Sequence, residues 1–264
     1  MPEIIKLVTL YTLKYFAVLI GGFAAGYINC FIANFLIDRI KKYEMGPKNE
    51  FNEGTGDNEA GGKSYNGKVH DMDMILIFAT IISFLILFIK YGLTADFGFY
   101  SYLMSVLIIM FFTDLKTKTI PNELVVAGLL GSIGVFIYNI FVPMEMYAGA
   151  GSGWWQPLLG VLPGSGILFL ISVLGTLIFK NNNVMGMGDV KIFAPIGIFL
   201  GWKMCILALI ISMFLGGITS LLLIVLKKMN RKDTIPFGPF IAVATFIVIV
   251  YGEKIWNWYF SKLV

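Results

Sequence analysis

The sequence predicts an all-α polytopic membrane protein with about eight transmembrane helices. Hydrophobic residues make up 58% of the 264 residues and charged residues only 14%. The mean hydropathy of +0.82 is far above that of a soluble protein. Long apolar runs alternate with short connections, and every second connection is rich in Lys and Arg. This alternation is typical of a chain that crosses a bilayer repeatedly.

Eight apolar segments account for most of the chain. They are predicted at 10–37, 73–90, 97–113, 122–143, 158–179, 190–202, 204–226 and 236–258. Of the 20 Lys and Arg residues, 14 lie in the connections 38–72, 114–121, 180–191 and 227–235. The positive-inside rule therefore predicts a multi-pass protein of the cytoplasmic (inner) membrane, with these connections in the cytosol and both termini outside.

The chain divides into a first transmembrane helix (1–37), a short cytosolic loop (38–72) and a seven-helix core (73–264). The first segment is too long for a signal-peptide core, so we expect it to remain as a helix. Its Gly21, Gly22, Gly26 and Asn29 form a small, partly polar face that favours close helix contact. The loop is rich in Gly, Asn, Glu, Asp and Lys and is expected to be flexible.

The charge and the cysteines exclude some classes of partner. The net charge of +4 comes from lysines in membrane loops, so no nucleic-acid partner is predicted. Cys30 and Cys205 each lie in an apolar run and lack the paired spacing of a zinc site or a disulfide framework. We interpret them as small packing residues and expect no metal.

Two acidic residues stand out because each ends or begins an apolar run. Asp114 follows the run 97–113 and is about 25 Å from the far end of that run, at about 1.5 Å per residue. Asp189 is about 20 Å from Trp202, where its own run ends. Since the hydrocarbon layer is about 30 Å thick, both carboxyls are expected inside the same leaflet. Intramembrane acids are costly and indicate function.

A pair of carboxylates can hydrolyse a peptide without a metal or a nucleophilic side chain. Two like charges a few ångströms apart share one proton and titrate as a unit. The ionised member takes a proton from water, and the protonated member donates to the scissile carbonyl and then to the leaving amine. The residues alone do not assign the two roles. The simpler alternative is that each aspartate caps a helix or pairs with Lys116 or Lys191.

The motifs around the two aspartates resemble those of bacterial type IV prepilin peptidases, the GxGD aspartyl protease family. These motifs are Asp114 with the turn 116–121, the hexapeptide Gly186-Met187-Gly188-Asp189-Val190-Lys191, and the late Ile235-Pro236-Phe237-Gly238-Pro239-Phe240. The first helix, with its glycines and Asn29, is also similar to that of the family.

The resemblance implies a protease that removes the basic leader from type IV prepilins or pilin-like secretion subunits at the cytosolic membrane face. It gives Asp114 and Asp189 the catalytic roles, and Gly186, Gly188 and Lys191 the active-site loop. Contacts to substrate or membrane lipid are expected from Lys116, Lys118, Pro236 and Gly238.

Many bacterial family members also methylate the new N-terminus with S-adenosylmethionine. The resemblance further implies two CxxC pairs after the first helix, which are interpreted as a zinc-binding element. The loop 38–72 is a reduced counterpart of that region and has no cysteine. We therefore expect no zinc and no cofactor for proteolysis. S-adenosylmethionine is the expected donor if methyl transfer is retained.

Two other classes share part of this pattern. A transporter would also place acids in broken helices, but it predicts an internal repeat, and the two halves of the chain do not align. Presenilin-like intramembrane proteases share the GxGD signature, but they are expected to have a Tyr-Asp dipeptide and a late Pro-Ala-Leu. Here the corresponding residues are Thr113-Asp114 and Pro236-Phe237-Gly238-Pro239.

Overall fold

The chain folds as a bundle of long helices. The computed structural model describes residues 2–44, 66–142, 147, 155–179, 186–228 and 235–262. These residues contain no strand, which confirms the all-α class. A π-helical turn at Leu162–Gly166 lies between the fifth and sixth helices. The helices are α1 (Pro2–Glu44), α2 (Asn66–Tyr91), α3 (Ala95–Thr117), α4 (Asn122–Phe141), α5 (Gln156–Leu159), α6 (Ile167–Phe179), α7 (Met187–Val225) and α8 (Gly238–Ser261).

The described helices form a multi-pass membrane protein. Seven stretches are long and apolar enough to cross a bilayer. One of them, Gln156–Ile178, combines α5, the π-helical turn and most of α6. The prediction of about eight crossings is therefore close, and the difference lies in α7.

α7 is bent back on itself at Gly201. With 39 residues it would be about 58 Å long if straight, roughly twice the hydrocarbon thickness. Gly188 and Gly216 would be about 42 Å apart on such a helix, yet both line the same cavity. The backbone leaves helical geometry at Gly201 (φ 71°, ψ 172°), where the chain reverses. Its two arms, 187–200 and 202–225, correspond to the predicted segments 190–202 and 204–226.

The reversal at Gly201 is supported by a tyrosine from the connection between α4 and α5. The positive φ of Gly201 lies in the left-handed region that favours glycine. A Cβ on Gly201 would lie 2.9 Å from the buried ring of Tyr147. The Tyr147 hydroxyl donates to the carbonyl oxygens of Ile198 and Phe199. Carbonyls at a helix end lack intrahelical partners. The single hydroxyl proton of Tyr147 is therefore shared between two carbonyl oxygens next to the break.

α1 and α2 pack as a close antiparallel pair through the predicted small face. A Cβ on Gly26 would lie 3.1 Å from the Cα of Ile77, and Gly22 is nearly as close to Ile81. Asn29 is buried and donates to the Thr80 hydroxyl at 3.4 Å. The missing side chains thus allow the two backbones to approach, as is typical of helices in membranes.

Both helices that border the predicted loop 38–72 extend into it. α1 continues to Glu44 and α2 begins at Asn66. Lys41 and Lys42 lie in the last turn of α1, where cations interact favourably with the helix dipole, so the helix persists beyond its apolar run. Residues 45–65 lie outside the described part of the chain, and the flexibility expected there stays a prediction.

α3 is the central helix of the bundle. It packs against α1, α2, α4 and α8. Tyr100, Leu103, Leu107 and Met110 are almost fully buried along its length. A helix that is apolar all round belongs in the interior of a membrane bundle. The acid at its end, Asp114, is therefore surrounded by protein.

Candidate active site

Asp114 lies in the last turns of α3 and is held by the start of α8. Its side chain is only 4% exposed. The backbone N–H of Gly238, the first residue of α8, donates to Oδ2 of Asp114 at 2.8 Å. α3 ends just after it, because Lys118 takes a left-handed conformation (φ 53°) and donates its N–H to the Asp114 carbonyl at 2.8 Å. The carboxyl is thus fixed by two helix ends.

Asp189 lies in the first turn of α7 and is half-buried. Its backbone N–H donates to the carbonyl oxygen of Gly186 at 3.1 Å, which closes a tight turn. This turn places the Asp189 carboxyl at the N-terminal end of the first arm of α7, on the same level of the bundle as the C-terminal end of α3.

Three glycines are required around the two aspartates for steric reasons. A Cβ on Gly186 would lie 2.9 Å from Oδ2 of Asp189, and one on Gly238 would lie 2.8 Å from Oδ2 of Asp114. A Cβ on Gly188 would lie 3.0 Å from the Cβ of Ile120 in the turn between α3 and α4. None of the three has a positive φ, so these positions need glycine for space and not for backbone conformation.

The two carboxyls line one cavity of about 830 Å³ and lie within electrostatic reach of each other. Its apolar lining includes Leu168 and Ile171 of α6 and Met213 of α7. Most of its polar lining residues belong to the start of α7 and to the residues that connect α3 with α4. A cavity with convergent acids and one apolar wall is suited to an extended peptide that continues into an apolar segment.

Most of the other predicted site residues also lie at this cavity. Lys118, Lys191 and Pro236 line it, and Lys191 Nζ donates to Oδ1 of Asn122 at 3.2 Å. Lys116 does not line the cavity. It lies in the last turn of α3, within electrostatic reach of Cys30 on α1. In the described part of the chain neither aspartate forms an ion pair with Lys116 or Lys191. The simpler pairing alternative is therefore not supported.

Several cavity residues were missed by the sequence analysis. They lie in the turn between α3 and α4 and at the start of α4, on α6, on the second arm of α7, and at the start of α8: Ile120, Asn122, Leu168, Ile171, Met213, Gly216, Gly217, Ser220, Phe237 and Phe240. The signal that would have found some of them is the pair Gly216-Gly217 in the middle of an apolar helix. Gly216 provides close contact, since its Cβ would lie 3.2 Å from the ring of Phe237.

The cysteines lie in different parts of the bundle. On α1, the Cys30 Sγ accepts a weak hydrogen bond from Asn34 Nδ2 at 3.5 Å. Cys205 instead packs against Gly164 of the π-helical turn. Within the residues that the structure describes, no three His, Cys, Asp or Glu side chains form a group that would hold a metal ion. Metal-independent chemistry stays a prediction.

Comparison with known proteins identifies the same region. Residues 101–221 match the model of the type IV leader peptidase family. This match includes both aspartates and Gly186, Gly188 and Lys191, and it confirms the resemblance seen in the motifs. The late Pro236 and Gly238 follow the matched region.

Curated relatives extend the match. A prepilin leader peptidase/N-methyltransferase of Aeromonas salmonicida is 28% identical over 159 residues, which are 60% of this chain and 51% of that protein. Proteins of the same name are 28% identical over 169 residues in Legionella pneumophila (64% and 55%) and 26% identical over 171 residues in Bacillus subtilis (65% and 62%). The chain therefore spans about half the length of the relatives that it matches. No solved structure gives a significant match.

Proposed function

We propose that this chain, whose residues 101–221 match the type IV leader peptidase family, is a membrane aspartyl endopeptidase that removes the leader peptide of type IV prepilins or pilin-like proteins. The observation that carries the proposal is the position of Asp114 and Asp189 on one cavity, each packed against a glycine that leaves room for its carboxyl. Such a pair in apolar surroundings is suited to acid–base hydrolysis.

The reaction follows from the shared proton of the pair. The ionised carboxyl takes a proton from a water molecule, whose oxygen attacks the scissile carbonyl carbon. The protonated carboxyl donates to the carbonyl oxygen, and the intermediate breaks down when a proton passes to the leaving amine. Oδ2 of Asp114 already accepts the Gly238 N–H, so Oδ1 is its oxygen that acts on water or substrate. The products are a leader with a new carboxylate and a mature chain with a new N-terminus.

The walls of the cavity give the substrate a direction. The apolar wall of Leu168, Ile171 and Met213 suits the hydrophobic start of a mature pilin segment. The polar lining, with Asn122, suits the leader, which stays at the water interface, whereas the cation of Lys118 does not bind a basic leader. Pro236 lines the cavity and is a further expected substrate contact. We expect Lys116, on the far side of α3, to contribute through lipid or helix contacts only.

The membrane orientation follows the basic residues. The carboxyl-bearing ends of α3 and α7 carry Lys116, Lys118 and Lys191, and the second arm of α7 is followed by Lys227 and Lys228. The positive-inside rule favours a cytosolic position for this end of the bundle, in the inner membrane. The termini then lie outside, and anionic lipid headgroups are expected around the basic rim.

Methyl transfer is a separate activity in this proposal. The relatives that match are named for both activities. S-adenosylmethionine supplies a methyl group when bound, but the described residues contain neither a strand nor a strand-to-helix glycine loop that would hold its nucleotide. No step of the proteolysis uses it. Residues 45–65 lie outside the described part of the chain, so a second site that includes them stays a prediction.

Co-expression with a prepilin tests the proposal. We expect Asp114→Asn and Asp189→Asn each to abolish leader cleavage, since an amide preserves the shape of the side chain but cannot exchange the proton. The mass of the product N-terminus reports cleavage and methylation together. Asp96→Asn is the matched control, since Asp96 lies in the first turn of the same helix, at the opposite end from Asp114.

A loss of cleavage can be assigned to the carboxyls only if the variant proteins are inserted in the membrane. Membrane fractionation and thermal unfolding in detergent should show that all three variants are inserted and folded. Near-normal cleavage by a correctly inserted Asp114→Asn or Asp189→Asn protein would disprove the assignment of the pair. Equal loss in the Asp96→Asn control would show that the assay reports stability and not chemistry.

A further inference from the structure

A second groove adjoins the catalytic cavity. It has a volume of about 230 Å³ and lies between the end of α1 and the turn between α3 and α4. Thr119, Ile120 and Asn122 line both the groove and the catalytic cavity. This turn is therefore a common wall, and a chain that leaves the cavity over it enters the groove.

The groove contains an acid that the catalytic mechanism does not use. Apart from Asp114 and Asp189, Glu123 is the one carboxylate among the described residues that line either space. The cations there are Lys118 and Lys191 in the cavity and Arg39 in the groove. A positively charged peptide that crosses this wall thus has a single counter-charge available outside the catalytic pair.

Glu123 is occupied by an exchangeable partner. Arg39 Nη1 of α1 lies 2.9 Å from Oε1 of Glu123, and the two side chains are 46% and 51% exposed. An ion pair at this exposure contributes little free energy. The guanidinium carbon of Arg39 also lies 5.7 Å from the centre of the Tyr43 ring, a cation–π contact that does not involve Glu123. Arg39 therefore has a second partner if another cation takes its place.

We propose, on the premise of the proposed function, that this groove binds a basic side chain of the leader peptide and that Glu123 is its counter-charge. In the free protein Arg39 occupies Glu123, and the leader cation displaces it. The apolar lining of the catalytic cavity from α6 and α7 receives the mature segment. Together the two surfaces set the direction in which the substrate lies across Asp114 and Asp189.

The proposal predicts opposite effects for the two members of the ion pair. Glu123→Gln removes the counter-charge and should raise KM for a prepilin about two- to fivefold, the range expected of an exposed ion pair. Arg39→Gln removes the competitor and should lower KM by a similar factor. Neither residue lines the catalytic cavity, so kcat should stay the same in both variants.

The experiment measures initial cleavage rates of purified protein in detergent with one purified prepilin. A second prepilin, with every Lys and Arg of its leader replaced by Gln, should give the same KM with both variants and wild type. Glu123→Lys should prefer a leader in which one basic residue is replaced by Glu. Glu253→Gln is the matched control, because Glu253 is an exposed acid about 22 Å further along α8 from Gly238.

The two single variants also distinguish an effect on leader binding from an effect on protein stability. Both Arg39→Gln and Glu123→Gln remove the same ion pair, so any loss of stability is shared between them. If both raise KM equally, whatever the charge of the leader, the pair only fixes the turn and the proposal is overturned. If wild type cleaves no prepilin, the proposed function fails first, and this assignment fails with it.

Discussion

Replacing Gly238 by alanine perturbs the contact between α8 and the Asp114 carboxyl. The new Cβ would lie 2.8 Å from Oδ2, 3.1 Å from Cβ and 3.2 Å from Cγ of Asp114. Because non-bonded carbon atoms rest about 3.5–4.0 Å apart, the carboxyl or the start of α8 must move by roughly half an ångström. The 2.8 Å hydrogen bond from the Gly238 N–H is then lengthened or lost.

The size of the effect follows from these distances. Overpacking of this kind costs about 1–3 kcal/mol, which the fold can tolerate. A displacement of about 1 Å at a reacting group can lower the rate about 100-fold. We therefore expect kcat of Gly238→Ala to fall by about tenfold to 100-fold, with a smaller change in KM, because the substrate walls on α6 and α7 are untouched.

The assay is the rate of leader cleavage in detergent, with thermal unfolding recorded on the same samples. Gly98→Ala is the matched control: Gly98 lies on α3, no atom lies within 4 Å of its added Cβ, and alanine favours a helix. It should cleave at the wild-type rate. A Gly238→Ala protein with unchanged kcat would show that the contact between α8 and Asp114 does not position the carboxyl for catalysis.

Two further predictions concern residues away from the cavity. Tyr147→Phe should lower the free energy of unfolding in detergent by about 1–3 kcal/mol, since it leaves the carbonyls of Ile198 and of the buried Phe199 without their donor; an unchanged unfolding midpoint would mean that Tyr147 does not support the reversal of α7. Replacing residues 46–66 by a Gly/Ser linker should leave cleavage largely intact while any methyl transfer is lost, because the described residues that line the cavity lie elsewhere in the chain. Loss of cleavage in a well-inserted protein would show that this loop contributes to the protease site.

The sequence singles out the two candidate catalytic residues because they contrast with their surroundings. Asp114 and Asp189 are acids in apolar runs, and the helical rise alone places them at one depth. The glycines at 186 and 188 also follow from the motif, although the steric reason, contact with Asp189 itself and with Ile120, is visible only in the structure.

The walls of the site are not predictable in the same way. Leu168 and Met213 are apolar residues in apolar helices, and nothing local distinguishes a residue that lines a cavity from one that contacts lipid. Lys116 and Lys118 look equivalent in the sequence. They diverge in the structure, because Lys116 is still helical whereas Lys118 takes a left-handed conformation at the end of α3 and lines the cavity.

The ends of α1 and α2 show a further limit of prediction from the sequence. A hydropathy pattern detects where a helix leaves the bilayer and not where the helix stops. α1 therefore extends to Glu44, seven residues beyond the predicted end at 37. Its extension is functional in our proposal, because Arg39 and Tyr43 of the second groove lie on it.

The reversal of α7 at Gly201 has a consequence for the biogenesis of the protein. The arm from Asp189 to Gly201 covers only about 18 Å, too short to be integrated into a bilayer of about 30 Å as an independent span. The arm must therefore enter the membrane together with the longer arm that follows it, as one helical hairpin. Asp189 reaches its depth only when this second arm has been synthesised and inserted, so the nascent chain does not bring Asp114 and Asp189 together until late in translation.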